Sequence, residues 1–228
     1  MAFHELIGGS YGKQFLGGVQ FTLLLASASW LLAMIVGVAL AAVRKLGGVW
    51  SERFVSVYVA YHRNVPMLVH VLLWYFGISN LLPLAWQDWT LDHNGELIFA
   101  AIAIGLCSSA YFAEDIRSGI RAVAPGQIEA ARSVGFGSVS SMVYIILPQA
   151  FRAALPTLVN NTVVLFKNTS MAMAIGVAEL TYVTKEIENA TFLTFPTYAV
   201  ATLFYIGGSL CIMLVGEHIA RKLQSRGG

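Results

Sequence analysis

Residues Pro125 to Pro148, PGQIEAARSVGFGSVSSMVYIILP, lie between two strongly apolar regions and are neither apolar enough nor long enough to cross a bilayer themselves. Pro125 suits the first turn of a helix, where a missing N–H is no loss, and Gln127 to Val134 are good helix formers. Gly135 can take the left-handed conformation that ends a helix. Gly137-Ser138 then offers a turn and N-cap for a second short helix that has to stop before Pro148. The stretch predicts a helix-turn-helix elbow at a membrane surface. Taken alone, it could be a plain linker between two spans, with Gly135 only a C-cap and Glu129 only solvated. A DNA-reading role is disfavoured, because both ends run into apolar segments and no dense basic face is present.

The elbow also carries a spacing: Glu129-Ala130-Ala131, three residues, Gly135, nine residues, Ile145, one residue, Leu147-Pro148. This resembles the EAA loop of ABC-importer permeases. The flanks, Ala110-Tyr111-Phe112-Ala113-Glu114 through Arg117-Ser118-Gly119-Ile120 and Leu147-Pro148-Gln149-Ala150-Phe151-Arg152, look like the polar amino acid branch. The resemblance runs from about Gly17 to Lys222. It implies an all-α, type I importer permease with five transmembrane helices, whose cytoplasmic elbow docks into a groove on a separate ATPase subunit. Glu129, Ala130, Ala131, Gly135, Ile145, Leu147 and Pro148 are then the docking residues. ATP and Mg would sit on that ATPase, with no cofactor bound by this chain. The implied partners are ABC ATPase subunits, a second permease chain, identical or related, an external substrate-binding protein and a polar amino acid.

Composition agrees independently. The chain is 57% hydrophobic and only 11% charged, so most of it must sit where charge is expensive, which makes it a polytopic membrane protein. A net charge of +2 gives no reason to expect nucleic acid as a partner. Cys107 and Cys211 lie in apolar runs and read as packing residues. The amino terminus lacks the basic, apolar and small-residue regions of a cleaved signal peptide, and no linker or repeat interrupts residues 1–228, which are expected to form a single transmembrane domain.

Spans are expected at about 19–43, 66–82, 97–113, 154–178 and 195–216, with the coupling loop at 114–152. Basic residues beside a span mark the cytoplasmic side. Arg44, Lys45 and Arg53, then Arg117, Arg121, Arg132 and Arg152, and finally Arg221, Lys222 and Arg226 therefore face inward. The acidic loops 83–96 and 179–194 face outward, giving an inner-membrane protein with its amino end outside and its carboxyl end in the cytoplasm. The second span is preceded or kinked by a break at Pro66. His62-Arg63-Asn64-Val65-Pro66 resembles the family's Phe-Arg-Gly-Thr-Pro box with three departures, and Arg-Asn-Val-Pro looks like the glutamate/aspartate branch. Arg63 and Asn64 are candidates for a gate or assembly role, with a snorkelling anchor as the plain alternative for Arg63. His70 is expected to be a hydrogen-bonded packing histidine, with no metal-site partner in the sequence.

The fourth span is interrupted by polar residues. Asn160, Val164 and Lys167 fall on one helical face with Asn161 beside them, and polar groups at that depth need a wet or protein-lined surface. Phe166-Lys167-Asn168-Thr169-Ser170 resembles the family's Leu-Lys-Asp-Thr-Ser box, with Asn168 in place of the acid. These residues are the candidate substrate path; the alternative is that Lys167 pairs with a distant carboxylate or snorkels. No G-x-x-x-x-G-K-[ST] is present, so the chain has no phosphate cradle of its own. An ion-coupled secondary transporter is the rival reading, but no Asp or Glu is expected well inside a span. An intramembrane enzyme has no candidate residues.

Overall fold

The computed structural model describes residues 8–224, which form helices and short connections with no strand among them. Residues 1–7 and Arg226 of the expected inward cluster lie outside the described residues. The order is α1 (Gly9–Leu46), α2 (Val49–Asn64), α3 (Met67–Leu72), α4 (Leu84–Asp92), α5 (Gly95–Ala122), α6 (Pro125–Ser133), α7 (Ser138–Ser141), α8 (Leu147–Asn168), α9 (Leu180–Thr191) and α10 (Thr194–Gln224). Wider or tighter turns extend three of them: Leu73–Ile78 and Ser79–Leu81 after α3, Met142–Ile146 between α7 and α8, and Thr169–Ile175 after α8.

Four stretches, Gly9–Arg44, Gly95–Ala122, Ser138–Ile175 and Thr194–Leu223, are long and apolar enough to cross a membrane. The pair Val49–Asn64 and Met67–Leu81, bent by 106°, is long and apolar enough only when taken together, as a broken span or a re-entrant loop. The expected span at 66–82 is thus the second limb of a broken helix whose first limb starts at Val49. Pro66 lacks the N–H to continue the ladder and holds Val65 extended at φ −93°, ψ 131°.

Other boundaries also move. α5 does not end at Ala113 but continues to Ala122, because Glu114 and Asp115 find partners on neighbouring helices. The second elbow helix does not stop before Pro148. It passes through the π turn Met142–Ile146 directly into α8, with Pro148 in the first turn of that helix. A wide turn at that point leaves no carbonyl in want of the proline's missing N–H. The acidic segments expected as loops hold α4 and α9.

The core forms around α5, which packs along α1 and α8 and also meets α2 and α3. Ala100, Ala103, Ile104 and Phe112 of α5 meet Leu25 and Ala33 of α1 and Ala154, Leu158 and Leu165 of α8. Small residues let the backbones close in: a Cβ on Gly119 would lie 2.4 Å from the Ala150 carbonyl oxygen. On α10, Gly208 stands against the Phe166 ring, while a Cβ at Gly207 would meet nothing within 4 Å.

Candidate functional site: an elbow and a polar path

The elbow forms as its residues dictate. Pro125 opens α6, and Gly135 closes it at φ +86°. The Phe136 N–H donates to the Ala131 carbonyl and the Gly135 N–H to the Arg132 carbonyl, each at 3.0 Å, the paired bonds of a Schellman closure. Ala131 is buried, whereas Glu129, Ala130, Leu147 and Pro148 are exposed and Ile145 is half-buried. The Gln149 amide donates to the Ile145 carbonyl at 3.0 Å and to the Gln127 side chain at 3.3 Å, tying the returning helix to α6. The N-cap of α7 is Gly137, and Ser138 makes no capping bond. Val134, Val139 and Tyr144 are 73%, 77% and 72% exposed, an apolar surface that this chain itself does not cover.

Beside the elbow, Arg44 at the end of α1 reaches Glu114 of α5 and donates to Ser56 of α2 at 3.1 Å. Arg117 lies 3.5 Å from Glu114 and 3.7 Å from Glu52. This network fixes the ends of three helices against each other where the elbow begins.

Polar groups meet further along α8. The Asn161 amide donates to Asp115 of α5 at 2.6 Å, and Asp115 also interacts electrostatically with Arg63. The Arg63 guanidinium stands 5.2 Å from the Tyr111 ring centroid, a cation–π distance. Arg63, Asn64 and Tyr111 line a polar cavity of about 410 Å³ together with Arg44, Ser56 and Glu114. Asp115 and Tyr111 were missed in the sequence reading. Their signal was spacing: four residues apart, they share a face of α5 that the charge at Glu114 had seemed to end.

The stripe on α8 is real but divided. Asn160, Val164 and Lys167 are exposed together, while Asn161 turns to α5. Thr169 lines no surface: it is fully buried, with its hydroxyl donated to the Phe166 carbonyl at 2.7 Å. Asn168 is half-buried. Lys167 and Ser170 open on a cavity of about 580 Å³ between α8 and α10, with Tyr198, Thr202, Tyr205 and Ser209 opposite. The Ser209 hydroxyl on this wall is buried without a hydrogen-bond partner.

Behind that cavity lies a carboxylate that the sequence reading placed in an outer loop. Glu179 is fully buried. It caps α9 by accepting from the Thr181 and Tyr182 N–H groups at 2.9 Å each, and accepts from the Tyr205 hydroxyl at 2.9 Å. Burial pushes its carboxyl up, and those donors oppose the shift. His70 is buried as expected but not hydrogen-bonded at Nε2. It stacks on His62 at 5.1 Å and meets the edge of Tyr61.

The described residues thus form an all-helical membrane bundle with a helical elbow between two spans and polar groups along α8. The family described as "Binding-protein-dependent transport system inner membrane component" matches residues 31–225, and the chain belongs to it. The glutamine transport system permease protein GlnP of Escherichia coli is 31% identical, covering 92% of this chain and 90% of that protein. The glutamate/aspartate import permease protein GltJ of Escherichia coli is 28% identical (92% and 87%), and the nopaline transport system permease protein NocM of Agrobacterium fabrum 34% (89% and 84%). A solved amino acid ABC transporter, crystallised with histidines, superposes with a TM-score of 0.83 at 30% identity, covering 96% of this chain and 98% of that one. The methionine transporter MetNI shares the fold at a TM-score of 0.75 and 17% identity. This chain is accordingly a membrane-embedded amino acid ABC permease subunit, and ATP hydrolysis belongs to a separate subunit.

Proposed function

We propose that this subunit imports polar amino acids with acidic or amide side chains. It pairs with a second permease chain, takes its substrate from an external binding protein, and is driven through the elbow by ATPase subunits on the cytoplasmic side. Glu129, Ala130, Ala131, Gly135, Ile145, Leu147 and Pro148 form or support the docking surface, and the basic residues around them favour that side as the cytoplasm. Opening and closing of the ATPase pair moves the elbow, which shifts the spans between outward and inward access.

The observation that carries the substrate reading is Lys167. It opens on the cavity between α8 and α10, where hydroxyls stand among apolar side chains, and makes no ion pair among the described residues, with the neutral Asn168 beside it. An ammonium without a counter-ion at membrane depth attracts an anionic side chain and repels a cationic one. Uptake of labelled amino acids by the complex reconstituted with its ATPase and binding protein tests this. ATP-dependent uptake of glutamate, aspartate, glutamine or asparagine is expected; preferential uptake of arginine, histidine or lysine would overturn the substrate reading and leave the permease assignment intact.

A further inference from the structure

On the side of the α8–α10 pair away from Lys167, two cavities of about 600 and about 510 Å³ lie end to end between α1, α8 and α10. Trp30, Thr162, Cys211 and Ile212 line both, so they form one continuous groove. No charged side chain lines either part. The Trp30 ring N–H donates to the Thr162 hydroxyl at 3.0 Å, and that hydroxyl donates to the Leu158 carbonyl, so the polar groups at the junction are satisfied.

All three walls are membrane-crossing helices, so the open side of the groove faces whatever surrounds the spans. The other flank bears Lys167 and an unpartnered Ser209 hydroxyl and needs water or protein against it. The wholly apolar flank has no such need and can face hydrocarbon. From Phe204 to Ile219 the groove runs about 22 Å at about 1.5 Å per residue, enough to hold a chain crossing a leaflet about 15 Å deep. Its elbow end carries Arg152, Lys222 and an Arg221–Glu217 ion pair, a net positive charge. Arg152 follows the lining residue Phe151 and makes no ion pair among the described residues. Lys222 follows Val215 and Ile219 at seven and three residues, on the same face of α10.

We infer that this groove is a binding site for one acyl chain of an anionic membrane phospholipid, whose phosphate lies at the elbow end beside Arg152 and Lys222. The resident chain completes the packing between α1 and α10, which meet only sparsely over α8.

The test uses the assembled complex in phosphatidylethanolamine vesicles containing phosphatidylglycerol with a photoactivatable diazirine in its acyl chain. After irradiation, adducts should concentrate on Trp30, Cys211 and Ile212, about fivefold above Ile35 and Val38 on the exposed face of α1. Arg152→Gln should lower groove labelling by about fivefold, the weight of one basic residue near an anionic surface, and leave the labelling of Ile35 and Val38 unchanged. Equal labelling of groove and outer face would mean bulk lipid only and would overturn the site. An unlabelled groove in which Cys211 residues of two copies form a disulfide in Cys107→Ala protein would show a second copy there instead. Groove labelling unaffected in assembled Arg152→Gln would overturn the headgroup contact; if that variant fails to assemble, the wild-type map still decides the site.

Discussion

The two flanks of α8 differ in one respect that governs the rest. Toward Lys167 and Ser170, its cavity with α10 carries an ammonium, hydroxyls and an unpartnered Ser209; toward Thr162, Leu165 and Phe166, its groove with α1 and α10 carries no charge at all. The same pair of helices therefore presents one surface that needs water, substrate or protein and another that tolerates lipid. In a membrane protein, the polarity of each flank, more than its shape, decides what it can face.

Charge on the wrong flank should break this distinction most strongly. Ile212→Lys puts an ammonium in the apolar groove, at a cost of about 3 kcal/mol near the bilayer centre, and should sharply reduce the yield of assembled complex. Ile206→Lys, on the polar cavity, should be recovered far better; equal yields would erase the difference between the flanks. Next comes packing between them. Gly208→Leu drives a side chain into the Phe166 ring, 2.6 Å from its Cβ position, and should cost about 2 kcal/mol. A Cβ added at Gly207 meets nothing within 4 Å, and Gly207→Leu should leave thermal stability in detergent nearly unchanged. A smaller effect on stability than at Gly208 is expected at the elbow. Gly135→Val forces a branched residue to φ +86°, costing about 1 kcal/mol or more locally. Membrane insertion should survive while transport and ATPase stimulation fall; wild-type levels of both would mean that the elbow does not transmit motion.

Much of this was legible in the sequence. Hydropathy marked the long apolar stretches that became helices, and Pro125, Gly135 and the Glu129-Ala130-Ala131 spacing placed the elbow, because backbone geometry there is set by local residue types. What escaped depended on tertiary partners. Glu114 and Asp115 read as the end of a span, yet α5 continues because Arg44, Arg117 and Asn161 satisfy them. Glu179 read as a solvated loop acid, yet three donors accompany it into the interior. Pro148 read as a stop, but a single wide turn absorbed it. Thr169 looked polar enough for the path, and its own backbone claimed the hydroxyl. A one-dimensional pattern shows which groups need partners but not where those partners stand.

In the proposed function, Lys167 meets an anionic substrate in the cavity it shares with Ser170, Tyr198 and Ser209. The most direct measurement compares initial rates of ATP-dependent glutamate and glutamine uptake by reconstituted wild-type and Lys167→Met complexes, with ATPase activity followed in parallel. Removal of the ammonium should lower glutamate uptake about tenfold, as expected for the loss of a charge-assisted contact of roughly 1.5 kcal/mol, and change glutamine uptake much less. Equal rates for glutamate in the two complexes, or an equal fall for both substrates, would contradict it.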